Sequence, residues 1–267
     1  REKVAEGVDV RVIYDDLGCV MTLPYRYDLE LEAMGCRLHV GDGYLDDVEA
    51  DILFRTPGMH PNNPAIETPR SRGAEVTSEM EAFFEVCPCP IIGVTGSDGK
   101  TTTTTLTYEM LRQADLSVGL AGNIGQSFAL EVATEYFDWY VIELSSFQLD
   151  GMYDFRADVG VLMNITPDHL GRYDHKLQNY VDSKFRILQN QRATDKFVYC
   201  ADDPLTLENL GRHDRNMEVL PFGVKCTEGC AASLDGDTIR VRVDGEELSI
   251  GVDELKIKGV HNIYNAM

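Results

Sequence analysis

The chain has 267 residues and a formal net charge of −21, with 43% hydrophobic and 26% charged residues. This apolar content is sufficient for a buried core, and the length suggests one large or two ordinary domains. The acidic balance excludes the basic surface that nucleic-acid binding requires. No run is apolar enough to span a bilayer and no signal peptide is present. We therefore expect a cytoplasmic, monomeric protein without nucleic-acid or membrane partners.

The cysteines are scattered, and their number is seven. An odd number with irregular spacing argues against a disulfide framework. Neither Cys87-Pro-Cys89 nor the pair Cys226 and Cys230 has the spacing of a zinc site. We therefore expect free thiols, as in proteins of a reducing compartment.

The first part of the chain predicts short strands joined by polar segments. Strands are predicted for three β-rich runs, VDVRVIYDD (8–16), CRLHVGD (36–42) and ADILFRTPG (50–58). Residues 59–73 predict a loop and a short helix, and Ser78 can cap a helix over residues 79–86. The CPCP sequence at 87–90 ends that helix, because proline cannot continue one. We expect a domain boundary there, which separates residues 1–87 from residues 88–267.

After residue 90 the pattern becomes regular, with strands and helices in alternation. Strands are predicted for PIIGVTG, LSVGLAG, DWYVIELS, DVGVLMNI and KFVYCAD. Helices are predicted between them, over residues 99–114, 127–136 and 176–191. This alternation predicts an α/β fold with a mainly parallel sheet, whose ligand sites lie at the carboxyl ends of the strands. Further on, Asp244-Gly245 within an alternating run predicts a β-hairpin.

The stretch GVTGSDGKTTTTTL, residues 93–106, lies between a predicted strand and a predicted helix. Two residues separate Gly96 from Gly99, where the usual phosphate loop has four. Glycines still allow a tight turn, and the N–H groups at the start of the helix can bind a phosphate. Lys100 would add a charge near the phosphates, and the Thr101 hydroxyl can ligate Mg²⁺. The alternative is a capped helix that binds no ligand.

Three further residues have suitable chemistry, although each by itself is more often structural. Glu143 falls at the carboxyl end of a strand, where a carboxylate can hold Mg²⁺ or serve as a buried hydrogen-bonded acid. His169 follows a strand in a polar loop. Lys184 lies within a helix between apolar neighbours, where a lysine usually extends its amine to water.

Taken in order, several motifs resemble one family. The sequence contains GVTGSDGKTT, GNIG, ELSSFQL, NITPDHLGRY, SKFRI, ADDP and HNIYNA, and this series resembles the Mur ligases. Within the family, GNIG and ELSSFQL resemble the members that add D-glutamate to UDP-N-acetylmuramoyl-L-alanine. FRTPG and TSEMEAFF, nearer the start, resemble the first domain of those members. The resemblance covers nearly the whole chain.

The resemblance implies an ATP-dependent ligase of peptidoglycan precursor synthesis. ATP would transfer its γ-phosphate to the carboxylate of the L-alanine, and the amine of D-glutamate would displace phosphate from the acyl phosphate. The implied fold is a partial Rossmann-like, UDP-substrate-binding domain over residues 1–87, followed by a P-loop-type ATPase domain over residues 88–267. The chain begins at Arg1 and stops in the opening of a helix. We therefore expect a fragment that lacks the family's first strand and C-terminal domain, and that is inactive alone.

Matching the motifs gives each group of site residues an implied role. The catalytic residues would be Lys100, Glu143, His169 and Lys184. Mg²⁺ would be held by Thr101, Glu143, His169 and Lys184, the lysine as a carbamate formed with CO₂. ATP would be bound by Ser97, Asp98, Gly99, Lys100, Thr101, Thr102, Thr103, Asn262 and Asn265. The UDP-sugar would be bound by Thr56, Pro57, Gly58, Asn123, Ser145 and Gln148. Asp15 and Asp16 match the family's uracil-side loop only loosely.

Two other functions remain open at this point. A different amide ligase of the superfamily, another Mur ligase or a folylpolyglutamate synthase-like enzyme, would keep the loop, Glu143 and His169 but not ELSSFQL with GNIG. A non-catalytic nucleotide-binding fragment would keep the fold alone. The short loop makes a P-loop GTPase a distant third.

Overall fold

A computed structural model describes residues 11–14, 33, 37–40, 51–124, 128–213, 216–226 and 228–267. The chain divides into two compact units, residues 1–54 with 62–76 and residues 55–61 with 77–267. The boundary between residues 87 and 88 stays a prediction. Asp15 and Asp16, considered above as uracil contacts, lie outside the described residues.

The first unit contributes short strands and a short helix. Strand β1 (Arg11–Tyr14) pairs in parallel with β2 (Arg37–Val40). Strands β3 (Ile52–Arg55) and β4 (Glu75–Ser78) form a second two-stranded sheet. A 3₁₀ turn (Pro64–Ile66) leads into helix α1 (Glu67–Ser71), and Asn63 caps the turn by accepting a hydrogen bond from the Ala65 N–H. The predicted loop and short helix over residues 59–73 are therefore confirmed.

The second unit is built on a nine-stranded sheet in the order β13-β12-β11-β10-β9-β8-β5-β7-β6. Its strands are β5 (Ile91–Thr95), β6 (Val118–Gly122), β7 (Trp139–Glu143), β8 (Val159–Leu162), β9 (Lys196–Cys200), β10 (Glu218–Gly223), β11 (Ala232–Asp235), β12 (Thr238–Val243) and β13 (Glu246–Gly251). The pairs from β6 through β11 are parallel, and the last two pairs are antiparallel. The expected mainly parallel α/β sheet is confirmed.

Helices pack on this sheet and enclose an apolar core. They are α2 (Glu79–Val86), α3 (Lys100–Gln113), α4 (Phe128–Thr134), α5 (Ser146–Leu149), α6 (Leu177–Phe185), α7 (Pro204–Leu210) and α8 (Val260–Ala266). The Ser78 hydroxyl caps α2 by accepting from the Glu81 N–H at 3.2 Å, as expected. Ile142, Leu144, Phe155 and Phe197 are fully buried in the core. Because β5 and β7 are parallel neighbours near one end of the sheet, their carboxyl ends lie side by side along the same edge.

Some details differ from the sequence prediction. The helix predicted over residues 176–191 ends at Phe185 and tightens into a 3₁₀ turn over Arg186–Leu188. The turn ends at Gln189, whose ψ of 142° lies outside the helical region. Strand β10 was not predicted because Pro221 interrupts it; pairing with β9 and β11 outweighs that local signal.

The expectation of free thiols is wrong for one pair. Cys226 and Cys230 form a disulfide, since the loop after β10 folds back and brings the sulfurs together. Cys87, Cys89 and Cys200 are free, as expected. The predicted hairpin is confirmed: Asp244 and Gly245 have φ values of 54° and 81° between β12 and β13. Within the described ranges, no helix is both long and apolar enough to cross a membrane.

Candidate functional site

A glycine-rich loop joins the end of β5 to the start of α3. Gly96 and Gly99 have φ values of 149° and 82°, which residues with a Cβ atom rarely adopt. A Cβ on Gly96 would also lie 2.9 Å from the Cβ of Met163. Helix α3 begins at Lys100, and its first N–H groups lack partners within the helix. The amine of Lys100 donates to the carbonyls of Gly96 and Ser97, at 2.9 and 2.7 Å, so that this cation lies inside the loop.

The loop is held in place by the segment that follows β8. The Ser97 N–H donates to the Asn164 carbonyl at 2.9 Å. The Asn164 side chain accepts from the Asp98 N–H at 2.9 Å and donates to the Asp98 carbonyl at 3.0 Å. The Ser97 hydroxyl donates to the Thr166 carbonyl at 3.0 Å. Asn164 was not among the predicted site residues, although its place at the carboxyl end of the predicted strand DVGVLMNI is a usable signal in the sequence.

Glu143 ends β7 and is 1% exposed. Its carboxylate accepts from the Thr101 hydroxyl at 2.7 Å and from the Asn123 amide at 2.8 Å. These donors are neutral, and within the described residues no ion pair compensates this buried charge. Burying an uncompensated carboxylate is costly. A hard cation fits here, because carboxylate and hydroxyl oxygens are the ligands that Mg²⁺ prefers.

Lys184 is 2% exposed, and does not extend to water. Its amine donates to the Gly96 carbonyl at 2.7 Å and lies 4.7 Å from the centre of the Tyr180 ring. Burial, with the nearby charge of Lys100, lowers the pKa of Lys184 to about 7. A large fraction of this amine is therefore neutral and nucleophilic at neutral pH. The fold thus brings Lys184 to the same loop as Lys100, 88 residues away from Gly96 in the chain.

His169 lies in the loop after β8 and has a φ of 50°. Its side chain is 56% exposed, its Nε2 lies 3.3 Å from the Asp168 carboxylate, and its ring centre is 5.1 Å from that of Phe147. No contact joins it to Glu143 or Lys184 in the described part of the chain. Among the described residues, no group of three or more His, Cys, Asp or Glu side chains could hold a metal ion.

Helix α8 packs on the start of α3. The side chain of Asn265 occupies the place where a Cβ on Gly99 would project. The Thr103 hydroxyl, expected near phosphate, donates weakly to the Asn265 carbonyl at 3.5 Å. Asn265 donates to Asn262 at 3.1 Å, which in turn donates to the Lys258 carbonyl at 2.8 Å. Asn265 therefore lies against the loop, and Asn262 is joined to it through Asn265. Thr102 is half-buried on α3.

The residues predicted to bind the UDP-sugar lie in two places. Ser145 and Gln148 form a reciprocal cap at the start of α5, with the Ser145 hydroxyl and the Gln148 side chain each satisfying a backbone N–H. Asn123 is bound to Glu143, as described above. The second place is the turn Thr56-Pro57-Gly58, which is closed by a hydrogen bond from the Met59 N–H to the Thr56 carbonyl at 3.1 Å.

That turn is also bound by arginines that the sequence did not single out. Arg172 donates to the carbonyls of Gly58 and Pro57 at 2.7 and 2.8 Å. Arg55 donates to the carbonyls of Thr56 and Met59. Little in the sequence indicated a role for these arginines. They belong to motifs (FRTPG and DHLGRY) in which the predicted site residues were Thr56-Pro57-Gly58 and His169.

Comparison with known proteins is decisive for the family. The family model described as the Mur ligase middle domain matches residues 94–267, well over half of the chain. The chain belongs to the Mur ligase family. This confirms the resemblance stated above.

Two curated relatives of this Mur ligase chain bear the same name, UDP-N-acetylmuramoylalanine–D-glutamate ligase. The protein of Bacteroides thetaiotaomicron is 45% identical over 220 residues, covering 82% of this chain and 49% of that protein. The protein of Bacteroides fragilis is 46% identical over 220 residues, with the same coverage of 82% and 49%. The chain therefore spans about half the length of the curated relatives it matches.

Among solved structures, a UDP-N-acetylmuramate:L-alanyl-gamma-D-glutamyl-meso-diaminopimelate ligase of Neisseria meningitides has a TM-score of 0.61 with this Mur ligase chain. The match covers 99% of this chain and 85% of that one at 19% sequence identity. At this identity the likeness shows the fold alone. It agrees with the α/β architecture expected from the alternating strands and helices.

Proposed function

We propose that the protein carrying this chain is an ATP-dependent ligase that joins D-glutamate to UDP-N-acetylmuramoyl-L-alanine in peptidoglycan precursor synthesis. The observation that carries the proposal is the 45% identity to a curated ligase of that name, found together with the buried Glu143 and Lys184 at the glycine-rich loop. The net charge of −21 disfavours a nucleic-acid partner, and we propose a cytoplasmic monomer that acts on small molecules. We propose residues 1–87 as the UDP-substrate domain and residues 88–267 as the ATPase domain.

In this reaction the γ-phosphate passes to an oxygen of the substrate carboxylate and ADP leaves. The amine of D-glutamate then forms a bond to the carbonyl carbon and loses a proton. The bond between that carbon and the oxygen of the phosphate breaks, and phosphate leaves. A free carboxylate is a poor acyl donor, and phosphorylation supplies a good leaving group. The task of the protein is therefore to align the reactants and to neutralise crowded negative charge.

The loop is suited to that task. The N–H groups at the start of α3, with Ser97 through Thr103 around them, would bind the phosphates. Lys100 now satisfies the carbonyls of Gly96 and Ser97, and a phosphate would compete for its amine. Asn262 and Asn265 would contact the base from α8, which packs beside the loop.

Mg²⁺ when bound would draw electron density from the phosphate oxygens and screen their charge. Thr101 and Glu143 would hold one ion, because their oxygens lie 2.7 Å apart and Glu143 lacks a charged partner in the described region. His169 and Lys184 would hold a second. The lowered pKa of Lys184 supports its modification by CO₂, because only a neutral amine can form a carbamate. The carbamate would replace a buried cation by an anion suited to a metal.

The UDP-sugar would contact Asn123, Ser145, Gln148 and the turn Thr56-Pro57-Gly58. The Gly58 N–H has no described acceptor and is free to meet an anionic group. The Ser145 N–H and hydroxyl both donate to the side-chain oxygen of Gln148. A ligand at these two residues would therefore have to replace existing hydrogen bonds.

The proposal is tested by phosphate release from the protein that carries this chain, with UDP-N-acetylmuramoyl-L-alanine and one amino acid at a time. We expect release with D-glutamate and none with L-alanine, L-lysine or diaminopimelate. Lys184→Ala should abolish release, whereas Lys256→Ala, at an exposed position, should leave it unchanged. Preference for another amino acid would place the protein with a different Mur ligase. Nucleotide binding without phosphate release under any of these conditions would favour a non-catalytic role.

A further inference from the structure

Arg172 joins three features of the candidate site. Its side chain is 11% exposed, and its guanidinium donates to the Pro57 and Gly58 carbonyls at 2.8 and 2.7 Å. The same guanidinium lies over the ring of Phe147, 4.2 Å from its centre. The Arg172 N–H donates to the His169 carbonyl at 2.9 Å, because both residues belong to one 3₁₀ turn.

Phe147 extends this connection to the His169 side chain. The two ring centres lie 5.1 Å apart, and the rings are tilted by 56°. The imidazole is therefore linked to the guanidinium both through the turn backbone and through the Phe147 ring. An arginine is suited to this place because its planar fork can bind neighbouring carbonyls while its face stacks on an aromatic ring.

Two largely buried arginines converge on this turn. Arg55 is 5% exposed and donates to the carbonyl of Thr56, so that a second buried cation binds the same turn. The nearest carboxylate to Arg172, that of Asp150, lies 3.7 Å from its Nε. Together the two guanidiniums bind the carbonyls of all four residues from Thr56 to Met59, so the position of the turn depends on both arginines.

The direction of the Pro57 carbonyl has a consequence for ligands. The peptide bonds of the described residues are trans, and a trans peptide points its carbonyl and its N–H in opposite directions. Because the Pro57 carbonyl faces Arg172, the Gly58 N–H faces away from it. Arg172 therefore sets the direction in which this donor is presented.

We propose that Arg172 is a positioning residue that fixes the turn Thr56-Pro57-Gly58 relative to His169, and so sets the distance between the diphosphate end and the carboxylate end of a bound UDP-sugar. This role rests on the proposed function, and it takes the substrate diphosphate to lie at that turn and the reacting carboxylate to lie near His169. Reactive alignment tolerates little error, since a displacement of about 1 Å can cost roughly a hundredfold in rate. Arg172 itself touches neither substrate nor metal in this role.

The test compares Arg172→Lys with the unaltered chain and with Arg242→Lys, the same change in an exposed pair with Glu247 on the hairpin. Calorimetry gives the affinity for UDP-N-acetylmuramoyl-L-alanine and, separately, for AMP-PNP with Mg²⁺. NMR of the histidine side chains follows His169 as the UDP-sugar is added without metal. Circular dichroism and thermal unfolding report whether each variant is folded.

We expect Arg172→Lys to weaken UDP-sugar binding by about tenfold or more, because lysine cannot bind both carbonyls and stack on Phe147. Binding of AMP-PNP with Mg²⁺ should stay within about twofold, since the loop at Gly96 does not contact Arg172. The His169 signal should move on adding the UDP-sugar to the unaltered chain and should not move in the variant. Arg242→Lys should behave as the unaltered chain in each measurement.

A second variant keeps the proposal testable if Arg172→Lys does not fold. Phe147→Leu keeps the carbonyl bonds and removes the ring, so it should retain UDP-sugar binding yet lose the His169 response. An unchanged UDP-sugar affinity and an unchanged His169 response in both variants would overturn the positioning role while the proposed function stands. Equal weakening of both ligands would make Arg172 merely structural. If the unaltered chain binds AMP-PNP with Mg²⁺ but no UDP-sugar, the proposed substrate fails and this role fails with it.

Discussion

Lys184 should make the stability of this chain depend on pH in a predictable direction. Burial and the charge of Lys100 lower its pKa from the ordinary 10.5 to about 7. The unfolded chain therefore keeps a proton on this amine through an interval in which the folded chain has released it. Since the unfolded state binds more protons there, the free energy of unfolding contributed by Lys184 rises with pH from about 7 to about 10.5.

The size of the effect follows from the same pKa. Integrating the linkage relation for a folded pKa of about 7 gives a gain of about 2 kcal/mol in unfolding free energy between pH 7 and pH 9. Lys184→Met has nearly the same length and does not titrate. We therefore expect the unaltered chain to gain about 2 kcal/mol relative to Lys184→Met over this range.

The assay is urea unfolding of both proteins at pH 7, 8 and 9, in buffer that contains EDTA and no CO₂. CO₂ is excluded because it would consume the neutral amine. Lys256→Met, at an exposed position, is the matched control and should follow the unaltered chain. Parallel stability profiles for Lys184→Met and the unaltered chain would refute the reasoning, since they would mean that the amine titrates alike in both states.

Three other substitutions have defined outcomes. Glu143→Gln should weaken Mg²⁺-dependent AMP-PNP binding by about tenfold to hundredfold in calorimetry, while metal-free binding stays unchanged; equal loss in both conditions would argue against a metal ligand. Gly99→Ala should lower stability by about 1–2 kcal/mol and also weaken AMP-PNP binding, because its φ is positive and its methyl would meet Asn265. An unaltered melting temperature would contradict this. Ser78→Ala should cost about 1–2 kcal/mol in urea unfolding, because it removes the α2 cap and the buried bond to the Gly151 carbonyl, whereas Ser71→Ala, at an exposed position, should cost less.

Signals between near neighbours in the sequence were sufficient to predict several local elements of the second unit. The loop with Gly96 and Gly99, the helix that begins at Lys100 and the hairpin at Asp244-Gly245 were predicted because turn residues and hydrophobic periods act between near neighbours. The family also followed from motifs in their order along the chain. Strand β10, by contrast, was not predicted, because Pro221 interrupts its local signal and its pairing with β9 and β11 is not a local property.

The meeting of side chains at the site, in contrast, depends on contacts between residues far apart in the chain. The bond from Lys184 to Gly96 joins residues 88 positions apart, and that from Arg172 to Pro57 joins residues 115 positions apart. The sequence favoured an exposed amine for Lys184, whereas the sheet order places it against the loop and lowers its pKa. Asn164 reaches the same loop because β8 lies beside β5. A residue's type gives its possible chemistry, but burial, charge and neighbours arise only when the parallel strands bring their carboxyl ends together.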